Sequence, residues 1–179
     1  MKKKVIVVTS SSRKNANSGI LAEQFARGAE EAGHEAVRID LSGMGLLFCT
    51  GCLACQQGAP CPLKDGVAPL LEQIAAADVL TFATPVYYYS VSGRLKTFLD
   101  RLNPLFGREV RFRDVYLLTA SAEDTDEASD GAAVCVEGWV SCFEGVRLAG
   151  VVRGRGAEHP GDILKTSLPA AAYAAGARV

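Results

Sequence analysis

A chain of 179 residues, 49% hydrophobic and 22% charged with a net charge of -1, is long enough to bury a core in one domain without disulfide or metal staples. That charge balance makes no electrostatic case for nucleic acid or an anionic membrane surface as partner. No run approaches the roughly 20 apolar residues of a membrane-spanning helix.

Lys2, Lys3 and Lys4 precede only Val5 to Val8, far short of the roughly 7–15 apolar residues of a secretory leader. The chain is therefore expected in the cytoplasm, where thiols stay reduced and clustered cysteines point to metal or redox work. Lys4 to Thr9 (KVIVVT) is a β-branched apolar run, as expected of a parallel strand covered on both faces. A polar segment, Ser10 to Ser18, leads into a helix over Gly19 to Ala32, with Ile20, Leu21, Phe25 and Ala29 at helical spacing and Gly33 as its stop. Ala36 to Leu41 alternates like a strand nearer an edge, and a cysteine-rich insertion at about 43–64 then breaks the rhythm.

Val67 to Ala77 reads as a helix with Pro69 in its first turn. Asp78 to Thr84 is a buried-type strand that ends at Pro85, and Gly93 to Leu102 is an amphipathic helix. Val115 to Thr119 is another buried strand, Asp130 to Phe143 a helix, Arg147 to Val152 a fifth strand and Asp162 to Ala177 an alanine-rich final helix. No repeat or linker divides the chain, so residues 1–179 read as one domain. Alternating strands and helices imply right-handed crossovers. Five strands in this length suit a flavodoxin-like α/β three-layer sandwich, its parallel sheet in the order 2-1-3-4-5 with helices on both faces. In such sheets ligands bind at the carboxyl ends of the strands, which directs attention to the loops after Thr9, Thr84 and Thr119.

The first loop, "TSSSRKNANSG", lacks the glycine pattern of dinucleotide and triphosphate sites. It offers hydroxyls, amides, one guanidinium and backbone N–H groups at a helix N-terminus, which together suit a phosphate. Its "SSRKNANS" resembles the S-P-R-x-x-x-N-[ST] loop of the NAD(P)H-dependent FMN reductase and iron-sulfur flavoprotein families, with Ser12 in place of the proline. The resemblance implies that Ser11, Arg13, Asn15, Asn17 and Ser18 surround an FMN phosphate.

In the loop after the third strand, "ATPVYYYSVSGRLKTFLDRL" is similar to the same family's T-P-V-Y-x-x-x-x-[SP]-x-x-L-K-x-F-x-D-R run. Aromatic and backbone groups at a strand's end suit a flat heteroaromatic ring. By resemblance Pro85, Val86, Tyr87, Tyr88, Tyr89 and Ser90 line the isoalloxazine, with Thr119 and Ala120 touching it from the next loop. Lys96, Asp100 and Arg101 read as structural, in exposed ion pairs worth only about 0.3–0.5 kcal/mol. The acidic stretch 121–130 reads as a solvated, mobile loop whose charge would make a nearby flavin harder to reduce.

Cys49, Cys52, Cys55 and Cys61 stand at C-x2-C-x2-C-x5-C, followed by Pro62. Zinc sites usually pair two knuckles across a longer loop, whereas successive x2 spacings wrap a cubane corner. Gly51 and Gly58 permit close backbone approach to inorganic sulfides. The spacing also resembles the compact motif that holds a [4Fe-4S] cluster in iron-sulfur flavoproteins. A cluster is the first reading, vacant thiols the second, and zinc or disulfides follow. Cys135 and Cys142, seven apart, read as buried packing residues.

Function then divides three ways. The resemblance implies an FMN-dependent oxidoreductase of the NAD(P)H:flavin or quinone type, its flavin N5 accepting hydride from NAD(P)H with no side-chain acid or base required. The alternative is an iron-sulfur flavoprotein relaying single electrons between a [4Fe-4S] cluster and FMN, with ferredoxin as a natural donor. A third reading is a cysteine-based redox or metal sensor that binds a protein partner. Relatives imply a homodimer or homotetramer.

Overall fold

The computed structural model describes residues 1–179. Six strands and five helices follow in order: β1 (Lys4–Thr9), α1 (Asn17–Glu31), β2 (Glu35–Asp40), α2 (Leu71–Ala75), β3 (Val79–Tyr87), β4 (Ser90–Val91), α3 (Gly93–Arg101), β5 (Asp114–Ala120), α4 (Asp130–Val140), β6 (Arg147–Gly154) and α5 (Leu168–Gly176). The five long strands form a parallel sheet in the order β2-β1-β3-β5-β6, which is the expected order. The two-residue β4 is an addition, pairing antiparallel with the end of β3.

Alternation along the strands builds both layers. Ile6 and Val8 of β1 face Leu95, Phe98, Val136 and Val140 of α3 and α4, while Val5 and Val7 face Leu21, Phe25, Ala26 and Ala172 of α1 and α5. The sheet is covered on both faces, which is why its strands read as continuous apolar runs. No helix is long and apolar enough to cross a membrane.

Three of the boundaries that differ from expectation involve a proline or a broken helix. β3 does not stop at Pro85 but runs on to Tyr87. The N–H and C=O of one residue point to the same side of a strand, and Ala83 O accepts from Ser10 N on the β1 side. Pro85, two residues on, faces that side where β1 has already ended, so its missing N–H leaves no ladder bond unmade. The final helix is divided: a 3-10 turn at Asp162–Lys165 is followed by extended backbone at Thr166, and α5 starts only at Leu168, with Pro169 in its first turn. The 67–77 helix likewise opens as a 3-10 turn, Ala68–Leu70, which holds Pro69.

Candidate flavin cleft and cysteine segment

The switch point between β1 and β3 carries a cleft of about 300 Å³. Ser11, Arg13, Asn17 and Ser18 approach it from the first loop, Pro85, Val86 and Tyr87 from the end of β3, and Ala120 from β5. A fourth wall, Ala157, Glu158 and Pro160 after β6, was not read from the sequence. The rule that located the other loops reaches it equally, because it too follows the carboxyl end of a strand.

The N-terminus of α1 opens on this cleft. Ala16 is its N-cap and supplies no side-chain cap, and the first intrahelical bond is Ile20 N to Ala16 O. The N–H groups of Asn17, Ser18 and Gly19 therefore precede the helical ladder and are available to an anion. Arg13 stands at the mouth, its Nη1 donating to Glu158 O at 3.1 Å. Beneath lies a buried hydroxyl chain: Ser92 N donates to Thr84 Oγ1 at 3.0 Å, and Ser92 Oγ lies 2.9 Å from Ser10 Oγ. Arg94, in the first turn of α3, donates from Nη1 to Ser10 O at 3.1 Å and also reaches Ser12 Oγ. Arg94 carries no sequence signal beyond its place after Ser92-Gly93, yet it clamps the loop in which Ser12 stands in place of the proline.

The expected ligands divide by what their side chains do. Asn17, only 7% exposed, is fully occupied by protein: Nδ2 donates to Ala157 O and His159 O, both at 2.9 Å, and Oδ1 accepts from Ile163 N at 3.2 Å. It fastens the fourth wall to α1. Asn15 adopts a left-handed backbone (φ 54°) and lines a neighbouring cavity of about 380 Å³ with Glu23, Arg38 and Asp40. Thr119 is buried, its hydroxyl 2.8 Å from Ser129 Oγ.

The tyrosines form a hairpin tip. Tyr87 pairs with Ser90, so Tyr88 and Tyr89 are the two loop residues, with φ 49° and 61°. Two consecutive left-handed residues match a type I′ turn, where Asn-Gly is favoured and bulky side chains are strained. Tyr88 is fully exposed. Gly131 of α4 seats the hairpin, since a Cβ there would stand 2.2 Å from Tyr89 O.

The carboxylates of the acidic stretch are solvent-exposed, as expected, while its backbone is tied down. Ser121 N donates to Gly154 O at 2.8 Å, Ala157 N to Ser121 O at 2.8 Å and Gly156 N to Glu123 O at 2.9 Å, tying the loop to the segment after β6. Asp130 pairs with Arg153, and Asp124 and Asp126 with Arg155, so three carboxylates are turned toward arginines. Glu123 instead lies 3.5 Å from Tyr89 Oη.

The cysteine segment lies elsewhere. Leu53 and Gly58 are left-handed around a 3-10 turn at Ala54–Gln57. None of its four cysteines lines the flavin cleft; Cys49, Cys55 and Cys61 border cavities at the far end of α3, beside Leu99, Asn103, Pro104 and Arg108. At 1.5 Å per residue, Asn103, just beyond α3, is roughly 16 Å along the helix direction from Ser92.

All six cysteines are free, and no three His, Cys, Asp or Glu side chains gather closely enough to hold a metal. The donor chemistry suits an iron-sulfur cluster, but the four sulfurs as arranged do not converge on one. Cys49 and Cys52 are exposed and Cys55 and Cys61 half-buried. The Ala54 N–H and then the Thr50 hydroxyl hold the Cys52 thiol below its ordinary value. Cys142 is exposed beyond the end of α4 rather than packed inside, whereas burial pushes the half-buried Cys135 thiol up.

Arg101 also differs from expectation. It is 2% exposed and meets not Asp100 but Asp65, whose side chain is fully buried, with Nε–Oδ2 and Nη2–Oδ1 both at 3.0 Å. Asp65 additionally accepts from Leu47 N and Val67 N, each at 3.1 Å, and so clasps both ends of the cysteine segment. Burial alone would push its carboxyl up. The Arg101 fork and these N–H groups outweigh that and hold it below the usual carboxylate range. Lys96 and Asp100 form the exposed pair the sequence suggested.

A family model described as NADPH-dependent FMN reductase matches residues 3–140. The chain is 34% identical over 102 residues to an iron-sulfur flavoprotein of Methanocaldococcus jannaschii, covering 57% of this chain and 53% of that protein. It spans about half the length of the iron-sulfur flavoproteins it matches. A Bacillus subtilis protein provisionally named NAD(P)H-dependent FMN-containing oxidoreductase YwqN is 27% identical over 170 residues, 90% of each chain. Among solved structures, an NAD(P)H:quinone oxidoreductase from Methanothermobacter marburgensis superposes with a TM-score of 0.76 at 21% identity, covering 99% of this chain and 97% of that one. This last likeness establishes the fold.

Proposed function

The chain belongs to the NADPH-dependent FMN reductase family, and from that premise we propose that it is an FMN-dependent oxidoreductase that takes electrons from NAD(P)H and passes them to a flavin- or quinone-type acceptor. The observation that carries this reading is the cleft itself. An uncapped helix N-terminus, the Arg13 guanidinium and the Ser11 and Ser18 side chains open onto one space with the backbone of Pro85 to Tyr87 and Ala120.

A phosphate fits the first group because N–H dipoles and a cation stabilise a dianion. Arg13 has no carboxylate partner to displace, and its bond to Glu158 O aims it across the cleft. Val86, Tyr87 and Ala120 give a flat ring an apolar wall and a hairpin that shields one side from water. The Ser10–Ser92–Thr84 chain and Arg94 keep the first loop and β3 in register beneath it. When bound, FMN supplies hydride acceptance at N5, chemistry that belongs to the cofactor. Reconstitution with FMN followed by anaerobic NADPH addition tests this reading: bleaching of bound flavin supports it, and failure to retain FMN refutes it.

The second reading is favoured by a separate observation. Two of the four sulfurs already receive side-chain donors, Cys61 from Arg101 at 3.0 Å and Cys55 from Asn103 at 3.3 Å. Such donors are what a charged, ligating sulfur uses. On this reading residues 44–66 close so that Cys49, Cys52, Cys55 and Cys61 ligate a [4Fe-4S] cluster, ferredoxin is a natural donor, and a dimer or tetramer brings clusters toward flavins. Iron and acid-labile sulfide analysis of anaerobically purified protein tests it; absence of both would eliminate it.

A further inference from the structure

The flavin cleft shares a wall with a second cavity. Ser11, Arg13 and Ala16 line both, and the second, of about 380 Å³, continues from them into the groove between α1 and the edge strand β2. That volume falls within the roughly 300–1,000 Å³ of small-molecule pockets. Val7 pairs with Arg38 and Thr9 with Asp40, so both β2 side chains share the α1 face with buried Val7. Val7 and half-buried Ile20 give the groove an apolar floor, and Glu23, Arg38 and Asp40 edge it. Two of these groups are already oriented. Asp40 Oδ1 accepts from Ser42 N at 2.8 Å and Oδ2 from Ser42 Oγ at 2.9 Å, which fixes the carboxylate and leaves each oxygen able to accept again. Arg38 is clamped: Nε and Nη2 donate to Glu23 at 2.8 and 2.9 Å, and Nη1 and Nη2 to Glu30 at 2.6 and 3.1 Å. Two carboxylates thus answer one guanidinium, and Asp40 adds a third negative charge at the β2 end. Arg13, at the shared wall, is the cation with no carboxylate partner.

We propose that this groove is the adenosine site of the nicotinamide donor, with Asp40 accepting from the ribose hydroxyls and thereby favouring NADH over NADPH. The proposal rests on the reductase reading above for its consequence in turnover, and on the groove alone for binding. An apolar floor suits a purine, a free cation at one end suits a phosphate, and an oriented carboxylate at the other suits a vicinal diol. In doubly wound folds an acid about 20 residues beyond the first loop holds a nucleotide's ribose hydroxyls, while an arginine nearby accepts a 2′-phosphate. Both residue types stand here, and their partners decide between them. Arg38 is consumed by Glu23 and Glu30 and has little left for a further anion. Asp40 meets a hydroxyl as an acceptor, but meets a 2′-phosphate as a like charge. NADPH is therefore held more weakly and still reduces the flavin at higher concentration.

Calorimetric titration with 5′-AMP, and separately with adenosine 2′,5′-bisphosphate, tests the site in the full chain with and without FMN. The parent is expected to bind 5′-AMP in both states, and the 2′-phosphorylated nucleotide about tenfold more weakly. Asp40→Asn keeps an acceptor for Ser42 N and removes the charge. It is expected to weaken 5′-AMP about tenfold, the worth of one hydrogen bond to a charged group, and to narrow the gap between the two nucleotides. Glu23→Gln loosens the hold on Arg38 and is expected to strengthen the 2′-phosphorylated nucleotide alone. In turnover, the ratio of kcat/KM for NADH to that for NADPH is expected to fall in both variants at unchanged flavin content. Failure of the parent to bind 5′-AMP, equal affinity for the two nucleotides, loss of 5′-AMP binding when FMN is added, or an Asp40→Asn variant that binds as the parent does would each overturn the assignment. If the nucleotide pattern holds in a protein that oxidises neither NADH nor NADPH, the reductase reading falls and the nucleotide site stands.

Discussion

Asn17→Ala separates a structural tie from a phosphate ligand. The substitution removes three hydrogen bonds, at 2.9, 2.9 and 3.2 Å, and leaves Ala157 O, His159 O and Ile163 N without that partner beside a side chain that is 7% exposed. Each such bond contributes about 1 kcal/mol net, and orphaned buried groups cost more. The expected loss is therefore about 2–4 kcal/mol in the FMN-free protein. With a urea slope of about 2 kcal/mol/M, the unfolding midpoint falls by about 1–2 M. FMN affinity falls as well, because the released segment carries Ala157, Glu158 and Pro160 of the cleft wall. Urea titration followed by circular dichroism, with and without FMN, measures both effects. A side chain acting only as a phosphate ligand would leave the FMN-free midpoint in place. A change below about 0.5 kcal/mol in that state would refute the structural role, since substitutions away from packed or bonded features usually fall within that margin.

Arg13→Ala has the opposite signature: FMN dissociation constants rise about 10- to 100-fold from loss of one charge-assisted contact of about 1.5–3 kcal/mol, while the FMN-free unfolding midpoint stays put. Asp65, held below the usual carboxylate range, contributes stability that is fully present above its unfolded value near about 3.9 and is lost as pH falls through its lower folded value. Acid titration of the parent is thus expected to show a loss of stability below about pH 4 that Asp65→Asn lacks; a parallel profile in both would contradict it. The double substitution Tyr88→Asn with Tyr89→Gly relieves two left-handed tyrosines and is expected to raise stability by about 1–2 kcal/mol in thermal or urea unfolding. A destabilised product would mean that the tyrosine side chains contribute more to packing than their exposure suggests.

Much of the fold was legible because each long strand lies between two helical layers and so carries an uninterrupted apolar run. KVIVVT and VYLLT both declare this directly. Boundaries were lost where local rules met tertiary context. Pro85 reads as a strand end, yet its lack of an N–H is harmless where β1 has stopped. Thr166 breaks the final helix through a hydroxyl that donates to Ile163 O and accepts from Leu168 N, a contact without periodicity.

At the site, the cleft's three expected walls were readable from chain order, because strand ends collect at the switch point whatever their sequence. What each side chain does there was not. Asn17 and Arg13 share one motif, but only packing shows that Asn17 is consumed by Ala157, His159 and Ile163 while Arg13 is available. Arg101 reads from the sequence as a surface ion pair because its partner Asp65 lies 36 residues away; no local pattern connects them. The cysteine spacing indicated a shared task, but not that the segment folds against the far end of α3.

The most direct measurement is anaerobic titration of the FMN-reconstituted protein with NADPH, following the bound flavin's absorbance in the parent and in Arg13→Ala. The parent is expected to hold stoichiometric FMN and to bleach on NADPH addition, and the variant to lose flavin at concentrations where the parent retains it. A parent that binds no FMN, or one whose flavin is held equally well without Arg13, would contradict the assignment of this cleft.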